Sequence, residues 1–217
     1  KAPLRLAFNT CHPMSSWPQM QEVGYLEGIA AGMMTKTNKV GFVAGLVGPA
    51  IIKVAEGYKL GVQAVNPNCD VYTAYTGSTE DVQKSKEAAQ AMIDKGVDLI
   101  GGGGNASNAG MIKACEEAGI YAFGELEQQN LAPETVIFCN MNNIENLVLQ
   151  AVKDTIDGDF QGCIREYGIA ADVAQLTEYN SHVPQEVKDK LAECMDQMRS
   201  GELDIPMITE ISDDIIH

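Results

Sequence analysis

Basic residues are scarce in this chain. Fifteen Lys and Arg stand against 30 Asp and Glu, giving a formal net charge of −15 and a pI near 4.5. A field of that sign repels phosphate backbones and anionic lipid, which argues against nucleic-acid binding through a basic face. Long apolar runs are missing too: none approaches the roughly 20 residues of a membrane helix. The six cysteines (Cys11, Cys69, Cys115, Cys139, Cys163 and Cys194) contain no CxxC pair. They read as reduced, buried thiols behaving as small hydrophobes, with disulfides the alternative in an extracytoplasmic chain. Only Cys11-His12 sets two soft ligands together, and adjacent residues rarely ligate one ion well. His182 and His217 have no partner at useful spacing, so no metal site is expected. No secretory signal is present, but the chain opens on Lys1 rather than Met, and an upstream segment is expected to have been removed or to be missing.

What is present is a regular alternation of strand and helix signals, with enough apolar residues for a real core. Leu4–Phe8 reads as a strand leading into a loop that carries Pro13, Pro18 and the only Trp, Trp17. Glu22–Met34 reads as a helix whose small residues (Gly24, Gly28, Ala30, Ala31 and Gly32) suit it to close packing on a sheet. Lys39–Ala44 and Asp70–Tyr75 read as strands, with a helix from Ala50 to Val65 between them. Pro49 is set just before that helix, and Asn66-Pro67 ends it. A further helix runs to about Lys95, with Thr79 as the expected cap and Glu80 and Asp81 favouring its positive end. Val136–Asn140 adds a strand and Ile144–Ile156 a helix. Two short strands around a turn are expected within Tyr167–Tyr179, then a helix over Val183–Ser200 and a last strand over Ile205–Ile211. Connections of about 3–6 residues between alternating elements are the pattern of a parallel, doubly wound α/β sheet.

The stretch richest in chemistry is Val97–Gly110, a buried strand running into Gly101-Gly-Gly-Gly104 and then a helix, followed by the strand Ile120–Glu125. This is a βαβ unit whose first turn is nearly bare backbone. In open α/β sheets such turns lie at the carboxyl strand ends, where N–H groups and the next helix dipole converge on a ligand. Glu125 can accept hydrogen bonds from sugar hydroxyls, so a small polar molecule such as a nucleoside or sugar is the suggested ligand. Gly101-x-Gly-x-x-Ala106 formally fits the dinucleotide pattern, with Glu125 placed for the ribose. Against it, three βα elements already precede the unit, whereas the fingerprint normally opens its domain. No Gly-Lys-Ser/Thr follows, which excludes a P-loop. Glu125 and Glu127 form a candidate carboxylate pair, but no His lies near them and no Ser or Cys occupies a nucleophile elbow. No enzyme activity and no cofactor are therefore expected. Trp17 reads equally as a buried anchor or as a platform for stacking a ligand.

From Glu22 onward the chain resembles the basic membrane protein family of ABC-transporter substrate-binding lipoproteins, the purine nucleoside receptor family. The matching residues are Gly24–Ala31, Thr35–Gly45, Glu56–Pro67, Tyr75–Asp81, Gly96–Ile100, the Gly101–Gly110 turn, Gly124-Glu-Leu-Glu-Gln128, Val183–Val187 and Ser200-Gly-Glu202. The resemblance implies a type I periplasmic-binding-protein-like fold: two doubly wound parallel-sheet lobes joined by crossover strands and closing on a ligand. The family's first hundred or so residues have no counterpart here, so lobe 1 is expected to be incomplete. On this reading residues 1–38 end lobe 1, 39–138 form lobe 2, and 139–217 hold a crossover and the return to lobe 1. An uncovered lobe 1 face makes a homo-oligomer an expectation as well.

The resemblance also implies a function: capture of a small polar solute for an ABC importer, with the transporter permease as partner and an extracytoplasmic, lipoprotein-type location anchored through the missing N-terminal segment. A cytoplasmic ligand-sensing regulator on the same fold is the alternative, and a nucleotide-dependent enzyme a weaker one. The expected ligand-binding set is Trp17 and Glu22 from the lobe 1 side, with Leu46, Ser78, Thr79, Gly103, Asn105, Glu125, Glu127 and Asn140 from the loops at the lobe 2 strand ends. Gly103 is expected to offer backbone N–H groups, and Glu125 and Glu127 to bind hydroxyls. Three positions depart from the family pattern. Thr79 stands where an aromatic is frequent, Glu125-Leu-Glu-Gln128 replaces Asp-x-Asp-Gln, and the downstream ribose-holding Lys falls near Met141 or Asn142. Loss of the aromatic forfeits roughly 1–3 kcal/mol of stacking, which weakens a nucleoside more than a polar ligand in general.

Overall fold

Two sheets organise the computed structural model, which describes residues 15–158 and 164–211. The larger has six strands in the order β3 (Asp70–Tyr75), β2 (Lys39–Ala44), β4 (Leu99–Gly103), β5 (Tyr121–Glu125), β6 (Val136–Asn142) and β8 (Ala174–Leu176). The first five run parallel and β8 runs antiparallel to β6. Helices cover both faces, as buried parallel strands require. On one face α1 (Met20–Met34), α2 (Pro49–Val65) and α6 (Gln185–Ser200) enclose Phe42, Tyr58, Phe123 and Phe138. On the other, α3 (Val82–Asp94) and α4 (Asn108–Ala118) enclose Met92, Ile100, Met111 and Ala122. The strand order reverses between β2 and β4, so a crevice opens there at the carboxyl edge.

The small residues of α1 serve a helix rather than the sheet. A Cβ on Gly24 would lie 2.3 Å from the Val54 carbonyl oxygen, and one on Gly61 would lie 2.0 Å from that of Tyr25. With Gly28 and Gly57 making equally close approaches from each side, α1 and α2 meet backbone to backbone. Within this body α1, β8 and α6 all pack on the sheet begun at Lys39. The packing thus carries segments from both outer divisions of the sequence onto the 39–138 strands.

The second sheet is a parallel pair, β1 (Ser15–Pro18) with β7 (Ile164–Tyr167), register Trp17 to Glu166. Trp17 was expected in a loop. The segment is a strand because its partner lies far away in sequence, where no local pattern reports it. Buried polar contacts tie this pair to the larger body. Lys53 Nζ donates to Glu166 Oε1 at 3.0 Å and to the Pro18 carbonyl at 3.1 Å. Glu22 Oε2 accepts from Ile169 N at 2.6 Å. Beside β1 lies α5 (Ile144–Ile156), none of whose residues is buried. Ile144, Val148, Val152 and Ile156 recur every four residues and are largely exposed, a stripe with no cover among the described residues.

Other expectations need correction. Thr79 does not cap α3: Asp81 does, accepting from Lys84 N at 3.0 Å, while Ser78 Oγ accepts from Glu80 N and Asp81 N. Of the two short strands read within Tyr167–Tyr179, one is β8 and the other, β7, only ends at Tyr167; β7 joins β1 and β8 joins β6. Residues 205–211 form no strand, since Ile205 is buried but Pro206 has no N–H for a ladder. The strand read at Leu4–Phe8 lies outside the described residues, as do Cys11, His12, Cys163 and His217. Cys69, Cys115, Cys139 and Cys194 are free thiols.

Candidate functional site

The carboxyl ends of β2, β4, β5 and β6 bring most of the expected site residues to one edge. Gly45 N donates to the Gly103 carbonyl at 3.1 Å, closing the crevice floor. Thr79 lies against Gly45, and its carbonyl accepts from Ser107 N at 3.0 Å, so the loop before α3 is fastened to the glycine turn. The exposed side chain of Leu46 marks the rim.

Glu125 ends β5 and faces that turn. Its Oε2 accepts from Asn105 N at 2.7 Å and from Asn108 Nδ2 at 2.9 Å. The Gly104 N–H also favours the ionised carboxylate, but burial outweighs these bonds and lifts its pKa to about 7. Gln128 locks the arrangement: its Oε1 accepts from Glu125 N at 3.0 Å and its Nε2 donates to the Asn105 carbonyl at 2.8 Å. Asn105 and Leu126 hold the left-handed backbone, with φ of 50° and 55°. Non-glycine residues seldom adopt this region, and it is commonest at functional turns. Gly102 and Gly104 leave room for Asn108, whose amide would meet a Cβ at 2.8 and 2.9 Å respectively.

This geometry corrects two expectations. Gly103 lies in the β2–β4 ladder, and the turn's free N–H groups, on Gly104 and Asn105, point to Glu125 rather than outward. Glu125 and Glu127 do not act as a pair. Leu126 turns the chain between them, and Glu127 is exposed, with no side-chain bond among the described residues. Glu125 takes the turn's N–H groups for itself, which argues against a dinucleotide phosphate on this turn.

Asn140 of β6 stands beside Glu125 in the register and accepts from Leu126 N through its carbonyl. Its side chain donates to Glu27 Oε1 at 2.8 Å. Glu27 was missed by the sequence reading. The signal was there: a carboxylate on the stripe of α1 that otherwise holds Val23, Ala30 and Ala31. Asn108 and Gln128 were missed as well, because their value depends on where Glu125 points. Trp17 lies on β1 and Glu22 at the start of α1, five residues before Glu27. Burial holds the Glu22 carboxyl above its ordinary pKa, the Ile169 N–H opposes this, and Asp204 adds a further upward push. Trp17 is 45% exposed.

Residues 16–209 match the Bmp family, described as ABC transporter substrate-binding protein PnrA-like. The chain belongs to that family. Among its relatives, a CD4+ T-cell-stimulating antigen of Listeria monocytogenes is 30% identical over 84% of this chain and 56% of its own length. A purine-binding protein of Brucella abortus is 26% identical over 90% of this chain and 56% of its own length. The Bmp chain thus spans a little over half the length of these curated relatives. A solved ABC-transporter solute-binding protein from Aeropyrum pernix K1 superposes with a TM-score of 0.76 at 23% identity, over 93% of this chain and 68% of that one. The likeness establishes the fold: part of a periplasmic-binding-protein-like architecture of type I.

Proposed function

We propose that this Bmp-family chain binds a small, polar, uncharged or cationic solute at the carboxyl edge of β2, β4, β5 and β6, for delivery to an ABC permease, without catalysis. The six-stranded body is then lobe 2, the β1–β7 pair is the crossover, and α5 is part of lobe 1. The observation that carries the reading is Glu125, held at the strand-order reversal by Asn105, Asn108 and Gln128. So many partners on one partly desolvated carboxyl make a preorganised acceptor, and the turn's N–H groups are spent on it. The Gly104 and Asn105 N–H groups are taken and no Lys or Arg stands among the residues named at this edge, which disfavours an anion there. The relative from Brucella abortus is named purine-binding, and one from Haloferax volcanii is named as a putative glucose-binding protein. Nucleosides and sugars are accordingly the first solutes to try. The same kinship supports an extracytoplasmic location.

A regulator reading on the same fold draws on a Bacillus subtilis relative named transcriptional activator protein med, 24% identical. A thermal-shift screen of nucleosides, sugars and amino acids separates solute classes, and calorimetry on Glu125→Ala tests the site. The variant is expected to lose about 1.5–3 kcal/mol of affinity, the worth of a hydrogen bond to a charged group. Unchanged affinity removes Glu125 from the site, and turnover of a bound nucleoside ends the binding-only reading.

A further inference from the structure

Glu27 has no exposed surface, and Asn140 keeps only 4% of its own. Asn140 Nδ2 donates to Glu27 Oε1 at 2.8 Å, while Glu27 Oε2 has no partner. A buried carboxyl used at only one oxygen is costly, and native folds seldom keep one without a task. The other end of the Asn140 amide, Oδ1, takes no hydrogen bond among the described residues. Asn140 itself is fixed at the carboxyl end of β6, paired with Glu125 across β5 and anchored by Leu126 N.

An amide side chain has two nearly isosteric ends of opposite hydrogen-bond polarity, and its surroundings decide which end faces where. Glu27 Oε1 accepts from Nδ2 both as a carboxylate oxygen and as the carbonyl of the neutral acid. Contact through that atom therefore turns Oδ1 away from α1. Burial holds the Glu27 carboxyl well above its ordinary pKa, and the hydrogen bond from Asn140 opposes this. We propose that Glu27 is a positioning residue that fixes the Asn140 amide with its carbonyl toward the strand-end site, so that the site selects a solute bringing a hydrogen-bond donor. This rests on the solute-binding reading above and sharpens it. With Glu125 beside it and the buried, unpartnered Oδ1 of Asn108 behind, the edge is rich in acceptors. An amino or hydroxyl group fits such an edge, and a carbonyl does not.

Adenosine and inosine probe this at the 6-position of the base, where an amino donor is exchanged for a carbonyl acceptor. Calorimetry on the full chain is expected to show tighter binding of adenosine. Glu27→Met removes the acceptor, frees the amide to rotate, and is expected to move the adenosine-to-inosine ratio about tenfold toward inosine, the order of one hydrogen bond. Glu27→Gln retains a carbonyl oxygen for Nδ2 and is expected to restore the wild-type ratio. A ratio unmoved in Glu27→Met, an equal loss of both nucleosides, or a Gln variant that behaves like the Met variant overturns the proposal. Melting temperatures near wild type show that both variants are folded. The Asn140 side-chain amide resonances supply a ligand-free readout: they must move in Glu27→Met and stay nearly in place in Glu27→Gln, and any other pattern overturns the positioning role. Wild-type protein that binds neither nucleoside overturns the donor-reading of the purine edge. Glu125→Ala keeps the two levels apart. If it abolishes binding while Glu27→Met leaves the ratio alone, the solute site stands and the positioning role falls; if it leaves binding intact, the strand-end site falls and takes the proposal with it.

Discussion

Gly28 of α1 and Tyr58 of α2 touch through their backbones: a Cβ on Gly28 would sit 2.0 Å from the Tyr58 carbonyl oxygen and 2.9 Å from the Val62 nitrogen. Neither atom belongs to a side chain that can swing aside. Gly28→Ala is therefore expected to force the two helices apart and to cost at least about 3 kcal/mol, the upper range for overpacking. Gly48→Ala is the control, because nothing lies within 4 Å of its Cβ position. It should cost no more than about 1 kcal/mol, the worth of replacing a glycine N-cap by alanine. Urea denaturation of both variants checks the contrast, and a Gly28→Ala protein as stable as wild type would show that the helices are free to separate.

Stability should depend on pH through Glu125. Burial raises its pKa from 4.5 to about 7 in the folded chain. The folded state therefore keeps a proton that the unfolded state gives up, and stability falls as pH climbs from about 4.5 to about 7. A shift of that size is worth up to roughly 3 kcal/mol at 1.36 kcal/mol per unit. Glu22 and Glu27 are shifted in the same direction, so the reading comes from comparison. Glu125→Gln should lose less stability than wild type between pH 5 and pH 8 in parallel urea titrations. Identical pH slopes would place the Glu125 carboxyl in water.

The Lys53–Glu166 pair fastens β7 and its neighbour β1 to α2, with side-chain exposures of 4% and 15%. Removing one partner strands the other charge in a buried setting. Glu166→Leu is expected to cost about 3–5 kcal/mol, whereas Lys53→Met with Glu166→Leu should recover most of that loss. Thermal melts of the single and double variants test this, and additive losses would contradict it.

The stripe of α5, uncovered among the described residues, is expected to act as an association surface when the 217-residue chain is studied alone. Four largely exposed aliphatic side chains on one helix face exceed what a solitary surface tolerates without consequence. Light scattering is expected to show self-association that the double substitution Val148→Glu, Val152→Glu reduces. A monodisperse monomer at high concentration would overturn the expectation.

Periodicity made the five parallel strands and the helices packed on them legible, because most of these elements bury an apolar face and several are stopped by Gly or Pro nearby. What stayed hidden depends on distant partners. The strand at Ser15–Pro18 exists through β7, and α1 carries its glycines for α2 rather than for the sheet. Ile205–Ile211 looks like a strand by composition, yet no strand forms there. In the site, the glycine turn and Glu125 were both readable, but their relation was not. The sequence suggests that the turn's N–H groups await a ligand, whereas a left-handed Asn105 aims them at Glu125. Glu27 was visible as an oddity on an apolar stripe, and only Asn140, 113 residues away, gives it a task.

The carboxylate on the glycine turn can also be viewed as a tethered competitor. A group tethered within the same molecule meets its partner without the translational and rotational cost that a free phosphate ester must bear on binding. A phosphorylated metabolite would have to evict Glu125 from Asn105 and Asn108 before it gained a single turn N–H. On the solute-binding reading, phosphorylated forms of the solute are expected to bind more weakly, through prior occupancy of the turn rather than a repelling wall.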